Sequence, residues 1–174
     1  MRLIFAFAMF GALCSMDAGS VFADEAPPPI KKPPLPDLPA PPDVKAPPTD
    51  GEKTKTGLVT KVLAKGNGTD HPTAGCEVKV RYSGWMTDGK LFDTSEKKGA
   101  GFVAQFPLDL LIKGWQEGLK LMVAGEKRRM WIPSELAYGD TPRRPGGPHG
   151  MLVFDVELVD IVPVADKPSK KGRK

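Results

Sequence analysis

Eleven of the chain's 19 prolines fall between Pro27 and Pro48, and they close off most of what that stretch could become. Proline fixes φ and has no backbone N–H, so helix interiors and central strands exclude it. The rest of residues 24–56 is largely Ala, Asp and Lys, with too few large side chains to offset chain entropy by burial. The sequence therefore predicts a disordered, polyproline II-rich linker over 24–56, acting as a spacer. A ligand for a proline-recognising module is the alternative reading, less expected outside the cytoplasm.

Upstream of the linker, Arg2 precedes the apolar run Leu3–Leu13, which is short for a bilayer span. Val21-Phe22-Ala23 then presents small residues at the positions a signal peptidase reads, which predicts a signal peptide over 1–23. Lipid attachment at Cys14 is disfavoured by the bulky Leu13 before it. Export to the periplasm or cell envelope is expected, with no stable membrane insertion after cleavage. The mature chain would keep Cys76 alone, so no internal disulfide is available.

From Gly57 to Pro163 the texture is globular. Val78–Tyr82 alternates apolar and charged residues at the period of a half-buried strand. Asp88-Gly89 predicts a hairpin to Lys90-Leu91-Phe92. Trp115, Leu119 and Met122 share one face of a short helix, which Gly118 weakens. Glu126–Ile132 and Met151–Ile161 read as two further strands, the second with Leu152, Phe154, Val156 and Leu158 on one face. One helix among antiparallel strands predicts an α+β domain, with the helix packed on a sheet. The rest of the chain, 164–174, is a basic disordered tail.

The formal net charge is +4, and much of it sits in Lys167, Lys170, Lys171, Arg173 and Lys174. A mobile, solvated end explains that cluster more simply than nucleic-acid binding, and Lys127-Arg128-Arg129 reads as strand-face charge. No nucleic-acid partner is expected.

The usual catalytic constellations are missing. His71 and His149 lie beside prolines without a metal-ligand spacing, so neither a metal nor another cofactor is expected. Ser83 and Ser134 lack a nucleophile elbow, and Cys76 has no activating base nearby. What stands out is aromatic: nine Phe, Tyr and Trp residues from Tyr82 to Phe154, several beside Gly or Pro. Packing explains Trp85 and Trp131, whereas a concave apolar pocket is the alternative for the others.

Four blocks then resemble the FKBP-type peptidyl-prolyl cis-trans isomerases, in the family's order. The first is Val78-Lys79-Val80-Arg81-Tyr82-Ser83-Gly84-Trp85 continuing to Asp93-Thr94-Ser95. The second is Phe106-Pro107-Leu108 with Leu111–Gly118. Ile132–Gly139 and Leu152–Leu158 complete the set. The resemblance covers about 57–162 and implies a bent antiparallel sheet wrapped around one short α-helix. It places Tyr82, Asp93, Phe106, Ile112, Trp115, Tyr138 and Phe154 in a catalytic prolyl pocket, with Phe92 and Leu111 binding substrate. Trp115 would form the floor, while the Ile112 N–H and Tyr138 hydroxyl would meet carbonyls. Asp93 would order the polar wall, the alternative being a surface turn residue that caps Thr94 or Ser95. Two departures bear on specificity: Ala104 stands where the family often has an aromatic, with Phe102 out of step. The loop Asp140–His149 lacks the apolar residue that the family sets over the pocket.

The function implied is cis-trans isomerisation of Xaa–Pro bonds in exported proteins, without metal, covalent intermediate or proton shuttle. Pro-containing peptide segments are the expected partners, and macrolide inhibitors are candidate ligands. A non-catalytic binding module is the alternative. A general chaperone ranks last, since no flap-sized insertion separates Tyr138 from Leu152. Family members that dimerise do so through a long N-terminal helix, which prolines forbid here, so a monomer is expected.

Overall fold

Alternation along two central strands builds the domain from opposite sides at once. In the computed structural model, residues 35–163 are described; the expected signal peptide, the linker up to residue 34 and the basic tail lie outside them. The strands are β1 (Glu52–Lys53), β2 (Val59–Ala64), β3 (Glu77–Met86), β4 (Leu91–Thr94), β5 (Ala104–Pro107), β6 (Lys127–Ile132) and β7 (Leu152–Val162). They form one antiparallel sheet in the order β1-β2-β6-β7-β3-β4. β5 pairs with the first half of β3 and β4 with the second half, so the two lie end to end on one edge. The single helix, α1 (Lys113–Lys120), enters from the loop after β5.

On the inner face, Val78, Val80 and Tyr82 of β3 and Leu152, Phe154, Val156 and Leu158 of β7 join Trp115, Leu119 and Met122 in the main core. These are the faces that the spacing predicts, except that α1 ends at Lys120 and Met122 packs into the core from just beyond it. The hairpin is also as read: Gly89, at φ 87°, turns the chain, and Met86 N–H donates to Lys90 O at 3.0 Å. The sequence patterns did not single out β1, β2 or β5, which are short or have only part of their length buried.

Odd-numbered side chains of the same strands point the other way. Trp85, Trp131 and Val153 form a second apolar cluster with Val59. Val44 completes it at 6% exposure, with Leu38 and Ala40 packed alongside. The disordered spacer expected over 24–56 does not hold for its described part. Leu38, Ala40 and Val44 find a ready-made apolar face, and Glu52–Lys53 adds a strand to β2. Composition alone undercounts such a segment, because the surface it buries belongs mostly to its partner.

The basic run in β6 is structural. Arg128 is buried with its Nε donating to Glu126 Oε1 at 2.7 Å and Nη1 to Thr60 Oγ1 at 3.1 Å. Arg129 grips both oxygens of Asp155, at 2.5 and 2.8 Å. Two glycines set the helix close to this strand. A Cβ on Gly114 would lie 2.3 Å from Ile132 Cγ2, and one on Gly118 would lie 2.1 Å from Met130 Sδ.

Glycine-to-alanine changes in a helix ordinarily gain about 1 kcal/mol in propensity. Here the sign inverts. Gly114→Ala presses on stiff, fully buried Ile132, and overpacking of that kind costs about 1–3 kcal/mol. Gly118→Ala meets a flexible methionine and costs less. Urea denaturation of both variants checks the order; a stabilised Gly114→Ala would contradict the packing.

Candidate active site

Between α1 and the inner face of the sheet opens a cavity of about 450 Å³. Its walls are a chain of rings held edge to face. Tyr82 meets Trp115 with centroids 5.1 Å apart at 84°, Trp115 meets Phe154 at 5.3 Å and 87°, and Phe154 meets Phe92 at 5.4 Å and 85°. Phe106 extends the series, 6.2 Å from Tyr82. Perpendicular contacts set the positive edge of one ring on the negative face of the next, and each adds roughly 0.5–1.5 kcal/mol beyond area burial. Gly84 makes room for two of them, since a Cβ there would fall 2.6 Å from Phe154 Cε1 and 3.0 Å from Phe92 Cζ.

All nine residues singled out from the sequence line this one cavity: Tyr82, Phe92, Asp93, Phe106, Leu111, Ile112, Trp115, Tyr138 and Phe154. Trp115 sits in the first turn of α1 at 4% exposure, and its indole nitrogen has no acceptor among the described residues. Ile112 caps the helix in extended conformation, at φ −60° and ψ 151°. Gln116 Nε2 fixes that entry by donating to Leu111 O at 2.7 Å and Asp109 O at 3.1 Å. No acceptor for the Ile112 N–H occurs among the described residues, which leaves a backbone donor at the cavity for a ligand carbonyl.

Asp93 reconciles the two sequence readings. One carboxylate oxygen accepts from Thr94 N at 3.0 Å and Lys97 Nζ at 2.5 Å; the other accepts from the Tyr82 hydroxyl at 3.0 Å. The adjoining turn is pinned to β3 as well. Thr94 Oγ1 donates to Tyr82 O at 3.0 Å, and Tyr82 N donates to Ser95 Oγ at 3.2 Å. Turn residue and wall residue are therefore the same group.

Sequence reasoning did not assign Ser95, Lys97, Lys98, Phe102, Gln105 and Leu110 to the pocket, although they also line the cavity. Phe102 reaches it because Gly99 and Gly101, at φ 128° and 73°, wind the preceding loop through conformations closed to other residues. Lys98 Nζ lies 5.0 Å from that ring's centre. Ala104 lines the wall at the position where the resembled family often has an aromatic, and none of residues 140–149 lines it. The two glycines bracketing the loop were the available signal. Leu110, 81% exposed beside the cavity, carried none.

The two phenols at the wall stay neutral. Burial pushes the Tyr82 phenol well above its ordinary range, with the Asp93 charge adding to the rise. Tyr138 moves the same way for the same first cause, partly offset by Arg143. Both hydroxyls can donate at any ordinary pH. His71 and His149 lie away from the cavity, their Nδ1 atoms 3.0 Å from Met122 O and Gly147 O. Among the described residues, no His, Cys, Asp or Glu cluster could hold a metal.

A family model for FKBP-type peptidyl-prolyl cis-trans isomerases matches residues 68–159. The chain is 42% identical over 121 residues to the FKBP-type peptidyl-prolyl cis-trans isomerase FkpA of Aeromonas hydrophila, covering 70% of this chain and 42% of that one. It is 40% identical over 108 residues to a peptidyl-prolyl cis-trans isomerase of Schizosaccharomyces pombe, covering 60% of this chain and 95% of the yeast protein. The crystal structure of FkpA from Escherichia coli superposes with a TM-score of 0.60 at 41% identity, over 68% of this chain and 54% of the other. The chain thus spans less than half of the Aeromonas relative, and its own segment before the domain has to be read separately.

The raised phenols carry a sign for stability. Above the ordinary tyrosine value of 10, the unfolded chain loses protons that the folded chain keeps. Unfolding is then favoured as pH rises, so these groups cost no stability below about pH 9 and lower it above pH 10. Urea denaturation across that range checks it, and Tyr82→Phe should flatten the alkaline loss in part.

Proposed function

Because the chain belongs to the FKBP-type peptidyl-prolyl cis-trans isomerase family, we propose that it accelerates rotation about Xaa–Pro bonds in its ring-walled cavity. The observation that carries the reading is the uninterrupted series Phe106–Tyr82–Trp115–Phe154–Phe92 around one hollow. The bond resists rotation because resonance gives C–N double-bond character, with a barrier of about 18–20 kcal/mol. Unaided exchange at Xaa–Pro takes tens to hundreds of seconds. At a half-turn the conjugation is lost, and with it much of the amide's charge separation. An apolar, water-poor wall therefore disfavours the planar bond relative to the twisted one.

Binding must be tighter to the twisted form than to either planar form. The Trp115 face supports the pyrrolidine ring, and the Ile112 N–H and Tyr138 hydroxyl meet the flanking carbonyls. Asp93 acts as a positioning residue: it fixes the Tyr82 ring through its hydroxyl while Lys97 balances its charge. No group has to accept or deliver a proton, which fits two phenols held neutral.

Substrates in this reading are proline-containing segments of exported chains. The apolar run Leu3–Leu13 and Val21-Phe22-Ala23 support export, to the periplasm or envelope. Macrolide-type inhibitors are candidate ligands of the same cavity, and the protein acts as a monomer.

A protease-coupled assay with Leu-Pro and Phe-Pro tetrapeptides tests the activity. Wild-type protein should exceed the buffer rate, and Trp115→Ala should lower kcat/KM by about tenfold or more. Asp93→Ala should cost roughly two- to tenfold, the worth of one hydrogen bond. Folded wild-type protein that binds the peptides without accelerating exchange would make this a binding module instead.

A further inference from the structure

The sheet face turned away from the cavity holds chemistry that isomerisation does not use. Trp85 on β3 and Trp131 on β6 are almost fully buried there, and the segment Leu38–Val44 lies against them. Both indoles donate to its backbone: Trp85 Nε1 to Leu38 O at 3.3 Å, Trp131 Nε1 to Asp43 O at 2.9 Å. Between those two carbonyls run Pro39, Ala40, Pro41 and Pro42. Arg129, already gripping Asp155, donates from Nη1 to Asp43 Oδ1 at 2.5 Å. Val44 then enters the apolar cluster itself.

We propose that this outer face is a recognition groove for proline-rich segments, separate from the cavity, and that residues 38–44 of this same chain are its ligand. Three of the four residues between the bonded carbonyls are prolines and lack an N–H, so acceptors dominate the stretch, and indole N–H groups on an apolar floor match it. Stiffness lowers the entropy lost on docking. Pro42 also sets the turn closed by Val44 N–H to Pro41 O at 3.1 Å, standing at the turn position where its fixed φ is favoured. Two carbonyls at a set separation, an acid for Arg129 and a branched aliphatic after it make the groove selective beyond mere proline content.

The occupant is held in cis. After Val44 the chain turns again, Gly51 N–H donating to Pro48 O at 3.2 Å, and enters β1 beside β2. A Cβ on Gly51 would fall 2.6 Å from Val59 Cγ1, a residue of the same cluster. So short a packed return gives the segment a high effective concentration at the groove. The packed part of the proline-rich stretch therefore begins at Leu38, on the outer face of the domain.

The test uses full-length protein labelled with ¹⁵N, in which the three tryptophans give separate indole N–H resonances, assigned by single Phe replacements. Asp43→Ala combined with Val44→Asp should speed hydrogen exchange of the Trp85 and Trp131 indoles by about tenfold or more. Trp115 and the isomerase rate should not change, because both altered residues lie outside the cavity. A synthetic peptide spanning residues 35–48, added in excess, should restore slow exchange in that variant. Should the double variant unfold, Asp43→Asn alone should still give a several-fold acceleration. Unchanged exchange, or no rescue by the peptide, would overturn the groove. Protection that rises with protein concentration together with a doubled mass would overturn the cis occupant. The result is independent of the isomerase reading, since exchange is measured with no substrate present.

Discussion

Everything at the cavity depends on how closely α1 approaches the sheet. Gly114 and Gly118 leave no side chain between the helix and β6, so Trp115 reaches the rings of Tyr82 and Phe154 at contact distance. Gly84 does the same from the sheet side, giving Phe154 and Phe92 the space to stand perpendicular. Three missing Cβ atoms thus fix five rings. The loss of helix propensity at the two helical glycines, about 1 kcal/mol each, is offset by the aromatic contacts they permit.

That geometry explains why no acid-base pair is needed. Among the described residues the Ile112 N–H has no acceptor, while Asp93, Lys97 and Tyr82 are committed to one another. A site of this kind can orient carbonyls and exclude water, and the proposed rotation makes and breaks no covalent bond. The same sheet carries a different chemistry on its reverse, where two indoles point away from the cavity toward the backbone of the proline-rich segment.

Much of this was legible in the residues. Period-two alternation in β3 and β7 and the spacing of Trp115, Leu119 and Met122 located the core faces, because burial imposes those periods directly. The Asp88-Gly89 turn was local chemistry and equally readable. Residues 38–56 were not, since their order comes from a face built by β3, β6 and β7, far away in sequence. Phe102 and Lys98 escaped for a related reason: two left-handed glycines decide where that loop goes, and spacing does not encode the direction. Gly118 was read only as a weakness in the helix. Its value shows once Met130 is known to lie against it.

The central claim is that rotation is promoted by an apolar wall and fixed donors, with no proton in flight. The solvent deuterium isotope effect on kcat/KM for a Phe-Pro peptide, followed from about pH 6 to 9, reads this directly. A ratio near one and a level profile is the outcome this geometry requires. A ratio of about two or more, or a bell-shaped profile, would show proton transfer in the rate-determining step and contradict it.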